Sequence, residues 1–235
     1  MKDFEALFTK HGGYFKESPV ILAQKLFEIR AFLFDWDGVF NDGRKSESSS
    51  SDFSESISMG INMLRFSAYL KHGINPLVYI VTGEQNPSAN YLANREHFDG
   101  VFYNVKHKID ALNYLKDVHS LQNENFGFFF DDILDLSLAK IVGFRGMIQN
   151  NATPLFTDYV KQNGLADYIT ANSGGQNGLR EACELILALN GNFEETIQNR
   201  IEFSAQYKSY LEQRSTIRTA FFTVNEGSVQ PVNHN

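Results

Sequence analysis

Three short apolar runs, each closed by a polar turn, constrain this chain more than any other feature. Residues 31–34 (AFLF) run into Asp35, residues 77–81 (LVYIV) into Thr82-Gly83, and residues 126–130 (FGFFF) into Asp131-Asp132. A continuous apolar run of this length reads as a strand buried on both faces, as in a parallel sheet. Between the runs lie segments of helical period. Residues 59–72 bring Ile61, Leu64, Ala68 and Tyr69 to one face, and residues 108–119 do the same with Ile109, Leu112 and Leu115. Residues 134–141 form a shorter candidate. Residues 153–163 open on Thr153 as N-cap and Pro154 at the first helical position. Strand–helix alternation predicts a doubly wound α/β fold with a parallel sheet, and ligands in such sheets sit beyond the carboxyl ends of the strands.

At 235 residues the chain suits one domain over 1–235, with a core at about 30–190, a helical lead at 1–29 and a helical extension at 191–235. The extension is predicted as one helix over 193–213 with Asn192 as N-cap, then a late edge strand over 220–224 and frayed residues from 226 to 235. Another amphipathic helix is expected over 178–189. The segment 41–58, with four serines at 48–51, is expected to be a hairpin or flap over the site.

Hydrophobic residues make up 43% and charged residues 21%, which suits a soluble globular protein. The net charge of −7 and the lack of a Lys/Arg run argue against nucleic acid and anionic membranes as partners. No segment approaches the roughly 20 apolar residues of a membrane helix, and residues 1–10 lack the pattern of a secretory signal. A lone cysteine, Cys183, is expected to be a buried small hydrophobe, and a cytoplasmic location is expected.

The strand ends carry the chemistry. Asp35 and Asp37 leave the first run one residue apart and turn at Gly38. One carboxylate there can attack while the other moves a proton, and like charges so close call for a cation such as Mg2+. Thr82 and Gly83 offer a hydroxyl and a free backbone N–H that can grip a phosphoryl oxygen. Lys106-His107-Lys108 opens a helix and can neutralise a phosphate. Three acids, Asp131, Asp132 and Asp135, follow the third run and call for a metal or helix caps.

Taken in this order, the four motifs resemble those of the haloacid dehalogenase superfamily over nearly all of 31–190. With no large insertion around Thr82, and with Gly174-Gly175-Gln176-Asn177-Gly178-Leu179-Arg180-Glu181 leading into a helix, the chain looks like the capless 3-deoxy-manno-octulosonate 8-phosphate phosphatases. The resemblance implies a Mg2+-dependent phosphomonoesterase acting on a small phosphorylated sugar or sugar acid. Asp35 would be the nucleophile and Asp37 the acid and base. Mg2+ would be held by Asp35, the Asp37 carbonyl and Asp131. Thr82, Gly83 and Lys108 would bind phosphate, leaving Lys106 and His107 at the surface. It further implies a tetramer, with 41–58 as the hairpin of a central barrel and the glycine-rich tail closing a neighbour's site. Three positions depart from the family: Phe130 and Glu84 replace a glycine and an arginine, and Ile57-Ser58 replaces Asp-Gly. A Phe at 130 is expected to crowd the metal, and Glu84 reverses a charge where substrate would sit. These two residues motivate a second reading, a catalytically weak binding or assembly protein.

Overall fold

The computed structural model describes residues 4–46, 51–225 and 227–232. Its strands are β1 (Tyr14–Phe15), β2 (Ala31–Phe34), β3 (Leu77–Val81), β4 (Gly100–Tyr103), β5 (Phe126–Phe130), β6 (Phe144–Gln149), β7 (Tyr168–Ser173), β8 (Ala220–Asn225) and β9 (Ser228–Pro231). Its helices are α1 (Phe4–His11), α2 (Pro19–Glu28), α3 (Glu55–His72), α4 (Pro87–Glu96), α5 (Ile109–His119), α6 (Leu136–Ala139), α7 (Pro154–Gln162), α8 (Gly178–Asn190), α9 (Phe193–Ile201) and α10 (Ala205–Thr216).

The strands form one sheet in the order β1-β7-β6-β5-β2-β3-β4-β8-β9. Every pair from β7 to β8 is parallel, while β1 and β9 close the two edges antiparallel. The predicted α/β fold is therefore present, with a mixed sheet in place of an all-parallel one. The chain leaves β2 toward β3 on one side and leaves β5 toward β6 on the other. A crevice opens where connections diverge in this way, and here it lies beyond the carboxyl ends of β2 and β5.

Alternation along the strands feeds two cores. Phe32, Phe34 and Phe129 face a layer that holds Leu22, Ile61, Leu64, Leu92, Ile186 and Tyr210. Ala31, Leu33, Phe128 and Phe130 face Leu112, Leu115, Leu138 and Val160. Cys183 is buried in the first layer, as expected. Among the described residues no helix is long and apolar enough to cross a membrane.

Several expectations change. Residues 55–58 belong to α3, which is capped by Ser54, whose side chain accepts the Ile57 N–H. The tip of the expected hairpin, 47–50, lies outside the described residues. The lead contains β1 besides its helices, and residues 134–141 hold a 3-10 turn followed by the single-turn α6. The helix expected over 193–213 is two helices. Phe203 adopts φ +50, and Ser204 caps the second helix by accepting the Tyr207 N–H. A period count misses such a break because it depends on a positive φ at Phe203 that composition does not announce. Asn192 makes no side-chain cap; its amide bonds Ser67 instead. β8 is interior, because residues 228–231, expected to fray, pair with it as β9.

Candidate active site

The end of β2 is tied to β5 by the Asp35 N–H donating to the Phe129 carbonyl at 2.9 Å. Asp35 thereby stands over the crevice, only 9% exposed. The chain then turns at Gly38 with φ +80, and a Cβ there would lie 1.9 Å from Asp131 Oδ2. Only glycine allows this turn to pass so close to the carboxylate delivered by β5. Asp131 is 8% exposed and Asp135 1%. The 3-10 turn over Ile133–Asp135 folds Asp135 back, with its Oδ2 accepting the Asp132 N–H at 3.3 Å. Asp132 stays exposed and caps that turn.

Lys108 enters at the start of α5 and is 5% exposed. Its ammonium pairs with Asp35 Oδ1 and lies 2.5 Å from Asp135 Oδ1. Burial would lower its pKa, but Asp35 and Asp135 outweigh that and raise it. Lys106 and His107 are exposed, as expected.

Asp35, Asp131 and Asp135 each place a carboxylate oxygen within 4.8 Å of the others. Lys108 pairs with two of these three carboxylates, Asp35 and Asp135. Burial first, then Asp35 and Asp135, push Asp131 up to about 8. Burial, with Asp135 adding to it, also raises Asp35 against the pull of Lys108. Such a cluster of hard oxygen donors with uncompensated negative charge fits a small divalent cation. The carboxylates that meet are thus Asp35, Asp131 and Asp135, while the Asp37 carboxylate lies outside this group. Asp135 was visible in sequence as the third acid after β5, but nothing in its spacing separated a ligand from a cap.

Asp37 is held on the solvent side. Its Oδ1 accepts from Ser51 Oγ at 2.6 Å, and its Oδ2 pairs with Lys45 Nζ at 2.7 Å. Ser51 Oγ in turn accepts from Trp36 Nε1 at 2.9 Å and Asn86 Nδ2 at 2.8 Å. One donated and two accepted bonds use the full capacity of that hydroxyl, so the Asp37 carboxyl has a defined orientation. Sequence reasoning missed Lys45, Ser51 and Asn86, which come from two loops and carry no spacing signal. Lys45 also lies 2.7 Å from Glu84 Oε2.

Thr82 is buried at the end of β3, its N–H donating to Phe102 and its carbonyl accepting from Val105, and Gly83 next to it is exposed. Phe130 is fully buried and stacks on Phe128 at 5.7 Å, so its ring occupies the core instead of crowding the carboxylates. The glycine-rich tail packs on its own chain. A Cβ on Gly174 would lie 2.1 Å from the Gly38 carbonyl oxygen and 2.2 Å from that of Asn41. Glu181 accepts the N–H groups of Ala171 and Asn172 at 2.8 and 3.0 Å, and the Tyr168 hydroxyl at 2.6 Å.

No protein-family model matches the chain. Curated relatives do. It is 27% identical over 190 residues to the 3-deoxy-D-manno-octulosonate 8-phosphate phosphatase KdsC of Salmonella typhimurium, across 76% of this chain and 89% of that one. To the enzyme of the same name from Escherichia coli K12 it is 26% identical over 180 residues, covering 73% and 86%. Among solved structures, the 3-deoxy-D-manno-octulosonate 8-phosphate phosphatase of Moraxella catarrhalis, in complex with a magnesium ion, a phosphate ion and a KDO molecule, superposes with TM-score 0.63. The two are 26% identical, over 76% of this chain and 97% of that one. The phosphatase of the same name from Yersinia pestis gives TM-score 0.61 at 25% identity, covering 74% and 89%. Together with the ordered motifs and the crevice they line, these likenesses support a haloacid dehalogenase superfamily protein of the 3-deoxy-D-manno-octulosonate 8-phosphate phosphatase-like subfamily.

Proposed function

We propose that the chain is a Mg2+-dependent phosphomonoesterase that hydrolyses a small phosphorylated sugar through an aspartyl-phosphate on Asp35. The observation that carries this is the meeting of Asp35, Asp131, Asp135 and Lys108 at the switch point of the sheet. The phosphatases it resembles support the reaction class.

Magnesium, held by Asp35, Asp131 and Asp135, with the Asp37 carbonyl as a further oxygen, would supply the positive charge that lets a carboxylate and a phosphoryl group approach. Lys108 and Thr82, with the Gly83 N–H, bind the non-bridging phosphoryl oxygens. An Asp35 oxygen attacks phosphorus as the bond to the sugar oxygen breaks, and Asp37 gives that oxygen its proton. Water then attacks the phosphorus of the acyl phosphate, Asp37 takes the proton back, and the bond to Asp35 breaks to release inorganic phosphate. The Ser51 and Lys45 contacts aim Asp37 for both transfers.

The second reading, a catalytically weak binding protein, draws on Phe130 and Glu84. Phe130 packs in the core and Glu84 pairs with Lys45, so neither removes a catalytic group. Homotetramer assembly and a cytoplasmic location go with the family resemblance as further proposals, and light scattering on the purified protein tests the first. The central test is phosphate release from an aryl phosphate with and without Mg2+, beside Asp35→Asn. Metal-dependent release that falls at least about a thousandfold in the variant is expected. Release that survives Asp35→Asn would sink the assignment of the nucleophile.

A further inference from the structure

Glu84 and Lys45 meet beside Asp37, at the solvent rim of the site. Glu84 follows Thr82-Gly83 on the loop after β3, and its side chain is 69% exposed. Lys45 comes from the loop after β2, and its Nζ is 2.7 Å from both Glu84 Oε2 and Asp37 Oδ2. One ammonium is therefore shared by two carboxylates, so the trio is one charge negative with Asp37 ionised and neutral once Asp37 carries its proton. Next to it, Arg44 and Asp42 pair at 3.1 Å and cancel each other.

This inference rests on the phosphatase reading. If Asp37 hands its proton to the leaving oxygen, the rest of the leaving group must lie against Asp37 on its open side. That is where Glu84 and Lys45 stand. We propose that Glu84 is a specificity-determining residue that, with Lys45, selects a polyhydroxy leaving group carrying no carboxylate of its own.

A neutral sugar suits this rim. Its hydroxyls can donate to Glu84, and the ammonium has three protons, of which two serve the carboxylates, leaving one, among the described residues' contacts, to bond a sugar oxygen. A sugar acid would bring a second carboxylate beside Glu84, to a rim with no net positive charge to receive it even when Asp37 carries its proton. The cation that could receive it is shared twice. Solvent screens so exposed a carboxylate, and single exposed charge pairs have small effects, so a preference of about three- to fivefold is expected.

The test compares a neutral sugar phosphate with its own aldonic acid, for example glucose 6-phosphate and 6-phosphogluconate. The readout is the ratio of kcat/KM values within one preparation, which partial misfolding does not alter. Wild-type protein should favour the neutral ester, less so at high salt. Glu84→Gln should bring the ratio within about twofold of unity, and Glu84→Arg should reverse it. A wild-type preference for the acid, no preference, hydrolysis of neither sugar, or a ratio that ignores both variants and salt overturns the proposal. Mg2+-dependent hydrolysis of an aryl phosphate by the same preparation separates the two claims. If it is present while the ratio fails, this inference alone falls; if it is absent, the phosphatase reading falls and takes this one with it.

Discussion

Lys108 Nζ lies 2.5 Å from Asp135 and pairs with Asp35 through the same ammonium, so one cation binds the end of β2 to the turn after β5. All three side chains are buried, and removing one partner of a buried pair leaves uncompensated charge. Lys108→Met is expected to cost about 3–5 kcal/mol at pH 8. The loss should shrink toward pH 6, where the stranded Asp35 carboxylate, already raised by burial, takes up a proton. Asp35→Asn combined with Lys108→Met should cost less than the sum of the single changes. Urea denaturation of the four proteins at the two pH values measures this, and simple additivity would count against the shared ion pair.

Asp131 gives a second, opposite expectation. Its folded pKa of about 8 lies above that of an ordinary carboxylate. A raised carboxylate pKa means that the folded state holds the proton more tightly than the unfolded state. Burial of the charge, with repulsion from Asp35 and Asp135, therefore costs stability in full above pH 8, and that cost begins to fade as the pH falls through this value. Metal-free protein should melt at a higher temperature at pH 6 than at pH 8.5, and added Mg2+ should raise Tm more at pH 8.5. Asp131→Asn should abolish turnover yet raise the metal-free Tm by several degrees, since about 1 kcal/mol moves Tm about 2–4 °C at this size. Thermal melts with chelator and with Mg2+ decide the matter; a fall in metal-free Tm in the variant contradicts it.

Asp167 behaves in the reverse sense. It is fully buried, and its carboxylate meets Arg145 at 2.7 and 2.9 Å and Lys25 at 2.7 Å. Burial alone would raise its pKa, but Arg145 and Lys25 together hold it below the usual range. Its stabilisation is complete above the unfolded pKa of about 4 and is lost as acid titrates the folded carboxyl below that. Asp167→Asn should destabilise at pH 7 by about 3 kcal/mol and flatten the loss of stability between about pH 4 and 2. Denaturant midpoints across that range provide the check.

Gly174 tests whether the tail shapes its own chain's site. Its missing Cβ leaves room for the carbonyls of Gly38 and Asn41. Gly174→Ala should displace the 37–42 loop at a cost of about 1–3 kcal/mol and lower kcat/KM. The protein should still give a folded circular dichroism spectrum, and unchanged kinetics would show that the contact does not set the loop.

The C-terminal extension should prove part of the core. Tyr210 is fully buried, its ring 5.2 Å from Phe66 and its hydroxyl donating to the Asn62 carbonyl at 3.3 Å. Tyr210→Ala is expected to cost about 3–5 kcal/mol by denaturant titration, as for other buried aromatic truncations.

Much of the fold was legible because β2, β3 and β5 are unbroken apolar runs whose ends carry polar residues. Their period and length admit few alternatives. The extension was less legible. The break at Phe203 depends on a positive φ that composition does not announce, and β9 exists only because β8 offers a free edge. At the site, Asp35 and Asp131 stood out at strand ends, while only the family resemblance preferred Lys108 to Lys106. Asp135 was seen as an acid and given no role.

The sequence by itself determined which groups arrive at the strand ends. Local chemistry does that, since apolar runs make strands and Asp and Gly make the turns that close them. Tertiary structure decided which groups meet. β2 and β5 are neighbours only through the sheet's strand order, and this unites Asp35, Asp131 and Asp135 over 100 residues of chain. Lys45, Ser51, Glu84 and Asn86 converge on Asp37 from separate loops. Side-chain contacts across such distances have no period to read, because they are set by the packing of whole elements.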